Sequence, residues 1–124
     1  MTVLVDSWAW IEYFKGSSAG VKAKEIIESS QKVLLSTINV SEIYLFLLRN
    51  KPADAERLIK FIIDSSFITP LTTSIALKAA RIKHMQKIGL ADAIVAATAE
   101  ENNAKILTGD DDFKNMKNVI YLGK

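Results

Sequence analysis

The 124-residue chain is expected to fold as one α/β domain, residues 1–124, with a mostly parallel central sheet of four to five strands flanked by helices. Three observations carry this expectation. Short, β-branched apolar runs alternate along the whole chain with longer segments of helical periodicity. Apolar residues make up 49% and charged residues 24%, the balance of an ordinary folded domain, and the length is enough for a real core. No linker, repeat or low-complexity stretch divides the chain. Strands separated by helices imply parallel pairing with both faces of the sheet covered.

Residues 2–5 read as the first strand, because the run is short, β-branched and followed by the helix-starting pair Asp6-Ser7. Residues 8–15 form a short helix that stops at Gly16-Ser17-Ser18. A second helix covers 20–30 and a second strand 32–35. Residues 37–49 form a third helix and 52–65 a fourth, with Pro52 suited to a first turn. Residues 67–71 are a third strand, whose end Pro70 marks. A helix at 74–87 is broken by Gly89, and another follows at 90–101. Residues 104–108 are the fourth strand and 119–122 the fifth.

The formal net charge is only +2, with 16 basic and 14 acidic residues. If part of the acid is gathered in one place, the remaining surface is more basic than that total. Lys22, Lys24, Arg49, Lys51, Arg57, Lys60, Arg81, Lys83 and Lys87 are available to it, which is compatible with a nucleic-acid partner. The absence of cysteine excludes disulfides and thiolate metal sites and fits a reducing compartment. Asp6 interrupts any signal-like start, and apolar runs such as 43–48 fall far short of the roughly 20 residues a membrane span needs. A soluble, cytoplasmic protein without a membrane partner is expected.

Four acids stand where an acid is structurally awkward. Asp6 ends the first apolar strand, Glu42 lies inside the hydrophobic pattern 38–48, Asp92 opens an apolar helix, and Asp110 follows the fourth strand. Burying a carboxylate without a partner costs several kcal/mol, so acids pointing inward from different elements suggest a divalent cation held by oxygen ligands. In parallel sheets ligands bind beyond the carboxyl ends of the strands, where Asp6 and Asp110 both fall.

Each acid also has an ordinary explanation. Asp6 could cap the first helix, and Asp92 could be a first-turn residue favoured by the helix dipole. The neighbours of Asp92 at Val95, Ala96 and Ala99 are apolar, however. Glu42 shares its stripe with Ile38, Leu45 and Phe46, with Asn39 and Arg49 nearby; an ion pair with Arg49 is the rival reading. In Asp110-Asp111-Asp112, Asp110 lies closest to the strand, Asp112 is a second ligand candidate, and Asp111 is expected to face solvent. His84, among Arg81, Lys83 and Lys87, reads as part of a solvated helix face. Trp10, Tyr13 and Phe14 share one helix face and Trp8 lies about 200° from Trp10, so core on one side and a partner on the other are expected.

These residues resemble a known family. Asp6-Ser7 after an apolar strand, Ser41-Glu42 in the third helix, LADAIVAATA at 90–99 and ILTGDDDF at 106–113 are similar to the PIN-domain nucleases. Size and order resemble the VapC-type toxin ribonucleases of VapBC toxin–antitoxin pairs, and the likeness runs the length of the chain. It implies a Mg²⁺- or Mn²⁺-dependent endoribonuclease acting on an RNA substrate, inhibited by an antitoxin and usually a homodimer. The family's metal-binding acids would fall on Asp6, Glu42, Asp92 and Asp110, with Asp110 or Asp112 as the fourth ligand. Ser7 and Thr108 would support the site, and Trp8, Trp10, Tyr13 and Phe14 would serve partner binding. The short linker at 88–91 departs from the family pattern.

Rival chemistries fail on spacing. A haloacid-type phosphatase needs a second Asp two residues after the first, where Trp8 stands, and no phosphate-binding glycine loop occurs. A catalytically silent module of the same fold that binds RNA or a protein is the alternative from another class, and metal-dependent cleavage separates the two.

Overall fold

Strands that are apolar on both faces must be covered on both faces, and this chain does so with two helical layers. The computed structural model describes residues 1–123. The order is β1 (Thr2–Val5), α1 (Ser7–Lys15), α2 (Ser18–Ser29), β2 (Lys32–Ser36), α3 (Thr37–Asn50), α4 (Ala55–Asp64), β3 (Phe67–Thr69), α5 (Thr73–Met85), α6 (Leu90–Glu101), β4 (Lys105–Thr108), a 3₁₀ turn (Asp111–Phe113) and β5 (Val119–Tyr121). All five strands are parallel, in the order β3-β2-β1-β4-β5.

Alternation along β1 splits the core. Val3 and Val5, with Val33, Leu35 and Leu107, belong to the cluster that holds Trp10 of α1, Ile43 and Leu47 of α3, and Ile59 and Ile62 of α4. Leu4, Leu34 and Ile106 point to the other face and meet Val95, Ala96 and Ala99 of α6 together with Phe113. Helix α6 is buried continuously from Ala93 to Ala99, because α5 covers its outer side through Ile75 and Ala79. Its alanines let it fit between α5 and the sheet. On the opposite side Gly20 allows α1 and α2 to touch, since a Cβ there would lie 2.0 Å from the Glu12 carbonyl oxygen.

Helix α2 begins at Ser18 rather than residue 20, α5 ends at Met85 rather than 87, and three further elements differ from expectation. Helix α4 begins at Ala55 rather than residue 52, because Pro52 sits in a turn closed by the Asp54 N–H donating to the Lys51 carbonyl at 3.0 Å. Strand β3 stops at Thr69, one residue before Pro70, which has no N–H to donate. Residues 111–113 form a 3₁₀ turn where only a loop was expected.

The sheet order positions the functional groups. From β1 the chain builds outward to β2 and β3 on one side and later to β4 and β5 on the other. The reversal lies between β1 and β4, and ligands in such sheets bind in the crevice outside the carboxyl ends at that point. Asp6 follows β1 and Gly109-Asp110 follows β4, so the crevice is walled by acid from the start.

Candidate active site

Asp6 occupies the N-cap position of α1 but caps nothing with its side chain. Its backbone N–H donates to the Leu107 carbonyl at 3.0 Å, which ties the end of β1 to β4. Its carboxylate accepts from the Thr108 hydroxyl at 2.8 Å and from Asn39 Nδ2 at 3.3 Å. Only 4% of the residue is exposed. Burial pushes this carboxyl from 3.8 up to about 6, the Thr108 hydrogen bond opposes the rise, and the charges of Glu42 and Asp110 add to it. The capping explanation fails, because the side chain turns inward to other acids.

Asn39 organises the next group. It is wholly buried on α3, and its Nδ2 lies 3.3 Å from Asp6, 2.9 Å from the Ser7 hydroxyl and 3.2 Å from Glu42 Oε1. Ser7 Oγ in turn donates to Glu42 Oε1 at 2.7 Å. The buried Oδ1 of Asn39 has no partner among the described residues, so the amide is oriented by what its nitrogen gives to Ser7 and the two acids. Asn39 is not among the site residues expected from the sequence. Its signal was a polar residue in the spacing 39, 43, 47, which is the buried stripe of α3.

That stripe also corrects the expectation for Glu42. Glu42 is exposed, as are Leu45 and Arg49, so its apolar neighbours did not mean burial. The rival pairing fails too, since Arg49 forms none of the ion pairs among the described residues. Glu42 belongs to the cluster through Ser7 and Asn39.

The third group lies across the crevice. Asp92 stands in the first turn of α6, whose N-cap is Gly89. The Asp110 N–H donates to Thr108 Oγ1 at 3.0 Å, and Asp110 Oδ1 accepts from the Asp112 N–H at 2.9 Å. One carboxylate oxygen from each of Asp92, Asp110 and Asp112 lies within 4.8 Å of the others. Burial, a hydrogen bond with Asp112 and the charges of Asp110, Asp6 and Asp112 raise the Asp92 carboxyl to about 7. Thr108, wholly buried, links Asp6 to the Asp110 loop. Asp111 is exposed as expected and takes a hydrogen bond from the Tyr121 hydroxyl.

Among the described residues no lysine or arginine forms an ion pair with these acids. The ion pairs among the described residues join Glu12 to Lys15, Asp54 to Arg57, Asp64 to Lys60 and Glu100 to Lys78. At an effective dielectric of about 20, two charges roughly 5 Å apart repel by about 3 kcal/mol. The arrangement is therefore electrostatically incomplete without protons or a cation.

The aromatic residues divide between core and surface. Trp10 is wholly buried, edge-on to Tyr13 at 5.3 Å and to Phe61 at 6.4 Å. It is a core residue, so the expectation that it anchors a partner is corrected. Tyr13, Phe14 and Trp8 are partly exposed. The Trp8 ring covers Gly109 so closely that a Cβ there would come within 2.3 Å of it, so any larger residue would have to displace the ring. Both residues line a cavity of about 490 Å³ beside Asp111 and Tyr121. His84 is exposed on α5, away from the acids' hydrogen-bond network.

The PIN domain family model matches residues 3–119. The chain belongs to the PIN domain family. Solved structures of the same fold include a toxin–antitoxin complex from Klebsiella pneumoniae, 22% identical, covering 98% of each chain with a TM-score of 0.84. Another is VapC20 of Mycobacterium tuberculosis, a Sarcin-Ricin loop cleaving toxin, 18% identical over 94% of this chain and 96% of that one, with a TM-score of 0.79. FitAcB from Neisseria gonorrhoeae is 24% identical over 96% of each chain, with a TM-score of 0.76. No curated protein matches in sequence. No helix among the described residues is long and apolar enough to cross a membrane.

The raised carboxyls make the stability of this PIN domain depend on pH with a definite sign. Asp6 and Asp92 protonate more readily in the folded chain than in the unfolded one, so the folded state holds extra protons between about pH 4 and 7. Stability contributed by these groups therefore falls as pH rises through that window and stays low above it. For Asp6 alone, a rise from 3.8 to about 6 corresponds to about 3 kcal/mol. In metal-free buffer Asp6→Asn should melt close to wild type at pH 4 and clearly above it at pH 7. A melting difference that does not widen with pH would mean that the ionised Asp6 carries no strain.

Proposed function

We propose that this PIN domain is a metal-dependent endoribonuclease that hydrolyses RNA phosphodiester bonds, acting in the cytoplasm as the toxin of a toxin–antitoxin pair. The observation that carries the reading is the gathering of Asp6, Glu42, Asp92, Asp110 and Asp112 around one crevice with no basic partner among the described residues. Family membership supports a nuclease, and toxins among the similar structures support the finer role.

The donor set fits Mg²⁺ or Mn²⁺. It consists of carboxylate oxygens with no thiolate or imidazole, two of the acids have raised pKa values, and three present oxygens within 4.8 Å of one another. Asp92, Asp110 and Asp112 would hold a cation directly, with Asp6 and Glu42 completing the site. Such a cation, when bound, would supply Lewis acidity toward a phosphoryl oxygen and would lower the pKa of a water so that its deprotonated form can attack the phosphorus. The chain's own part is orientation. Thr108 holds Asp6 and the Asp110 loop at one register, while Asn39 and Ser7 aim Glu42 at the same crevice. The exposure of Glu42 and Asp112 leaves the mouth open to a polymer.

Cleavage of single-stranded RNA in Mn²⁺ and its loss in EDTA test the reading directly. Asp6→Asn, Glu42→Gln, Asp92→Asn and Asp110→Asn should each lower the rate at least about 100-fold, the size of effect that loss of one strong transition-state contact produces. Asp111→Asn should stay within a few-fold of wild type. Full activity in any of the first four removes that residue from the site, and a metal-independent wild type would sink the mechanism.

Metal should also act on stability. A cation that binds only the folded site stabilises it by about 2.7 kcal/mol at 100 times its Kd. Millimolar Mn²⁺ should therefore raise the melting temperature of wild type at pH 7 and leave that of Asp92→Asn nearly unmoved. An equal response in both proteins would show that Asp92 is not a ligand.

The same reading implies a cognate antitoxin and a homodimer. Trp8, Tyr13 and Phe14 give α1 a partly exposed aromatic surface of the kind that anchors partners, and Leu77, Met85 and Leu90 leave apolar surface on α5 and α6. Light scattering should find two copies at micromolar concentration. Trp8→Ala should weaken antitoxin binding at least tenfold with the fold intact, and an unchanged affinity would exclude Trp8 as an anchor.

A further inference from the structure

A second cavity, about 920 Å³, lies between α6, the α5–α6 linker and the segment 112–118. Its apolar lining includes Ala96, Ala99 and Met116, and Lys87, Lys105 and Lys117 also line it. Asp112 belongs both to this cavity and to the acidic cluster, so groove and site are continuous. Ala96, Ala99 and Glu100 carry the groove along α6 for roughly 6 Å, and Asn103 and Ala104 continue its wall beyond the helix end.

The three lysines are exposed, and none has an ion pair, a side-chain hydrogen bond or an aromatic partner among the described residues. Other lysines nearby are engaged. Lys83 donates to the Ile88 carbonyl at 2.8 Å, and Lys114 lies over the Tyr121 ring. Glu100, in the same wall, faces Lys78 at 3.6 Å. Free positive charge is thus concentrated along a groove that ends at the acids. No aromatic side chain lines it, so a strand lying there has its phosphates, not stacked bases, as the recognised feature.

We infer that this groove seats the RNA strand flanking the scissile phosphate, with Lys87, Lys105 and Lys117 contacting its backbone. The inference rests on the nuclease reading for the identity of the strand and adds the surface that binds it. Lysine suits phosphate as a compact point charge. A single-stranded ligand loses about 0.7 of a released counterion in salt dependence for each phosphate contact removed.

The test uses a non-cleavable 2′-O-methyl RNA in metal-free buffer, with affinity measured between 50 and 200 mM salt. Lys105→Gln/Lys117→Gln should bind at least about fivefold more weakly than wild type, with the slope of log affinity against log salt shallower by about 1.4. Lys22→Gln/Lys24→Gln on α2 removes the same charge and should change neither quantity appreciably. In cleavage assays the groove variant should raise KM while kcat stays within a few-fold. Equal losses in the two double variants, or no loss in either, would overturn the groove. So would loss of binding to a hexaglutamate peptide with RNA binding retained, which would make the groove a protein site. If wild type cleaves RNA and the groove variant is unaltered, the groove fails and the nuclease stands. If wild type binds RNA through these lysines without cleaving it, the nuclease fails and the groove stands. Absence of both binding and cleavage defeats both.

Discussion

The carboxylate of Asp6 is buried where β1 and β4 end side by side, and the groups around it are arranged by that burial. An acid in this place needs donors, and the fold supplies the Thr108 hydroxyl from β4 and the Asn39 amide from α3. Each donor then has a second duty. Thr108 accepts from the Asp110 N–H, which sets the acidic loop, and Asn39 reaches Ser7 and Glu42, which sets the opposite wall. One buried acid is thus tied to Glu42 and to the Asp110 loop through two polar residues that are themselves wholly buried, while α6 places Asp92. Replacing either donor by an apolar residue would leave Asp6 under-satisfied in a low-dielectric setting, where that cost is greatest.

The same arrangement sets stability against chemistry. Hydrogen bonds orient the carboxylates but supply no positive charge, so Asp6 and Asp92 are driven toward their protonated forms. A stability-optimised chain would place a lysine here. The lysines are instead exposed along the groove that leaves the site at Asp112. Charge of one sign lies at the crevice and the other sign beside it, a separation that suits a polyanion needing contacts along its length and a cation at one phosphate.

Much of this was legible in the residues because the strands are short, continuous and apolar. Helix α6 and strand β1 fall where periodicity places them, and the carboxyl-end rule puts Asp6 and Asp110 at one end of the sheet, whereas the adjacency of β1 and β4 comes only from the fold. The start of α4 was misread because Pro52 suits a helix first turn and an isolated turn alike, and only the Lys51–Asp54 hydrogen bond decides between them. Glu42 was assigned to a buried stripe for a related reason. Helix α3 carries apolar residues on more than one face, and Leu45 at 46% and Leu48 at 45% exposure cannot be told from Ile43 and Leu47 by pattern. Asn39 escaped notice because a neutral amide in a helix excites no electrostatic suspicion. Its importance appears only when its three acceptors, brought from two elements, surround it.

The separation of those elements along the chain has a consequence for folding. Thr108 and Asp6 are 102 residues apart, and Asn39 reaches Asp6 across 33. No partly folded segment can assemble the acids, because β4 must pair with β1 before Asp110 approaches Asp6. The repulsion among the carboxylates is therefore felt late, after local helices and much of the apolar core can form. A divalent cation of the kind proposed would find its full ligand set only in the complete fold, so its binding energy would act on the native state almost alone. The pairing of β1 with β4, the charge that opposes it and the ion proposed to relieve that charge would in this way be coupled at one crevice.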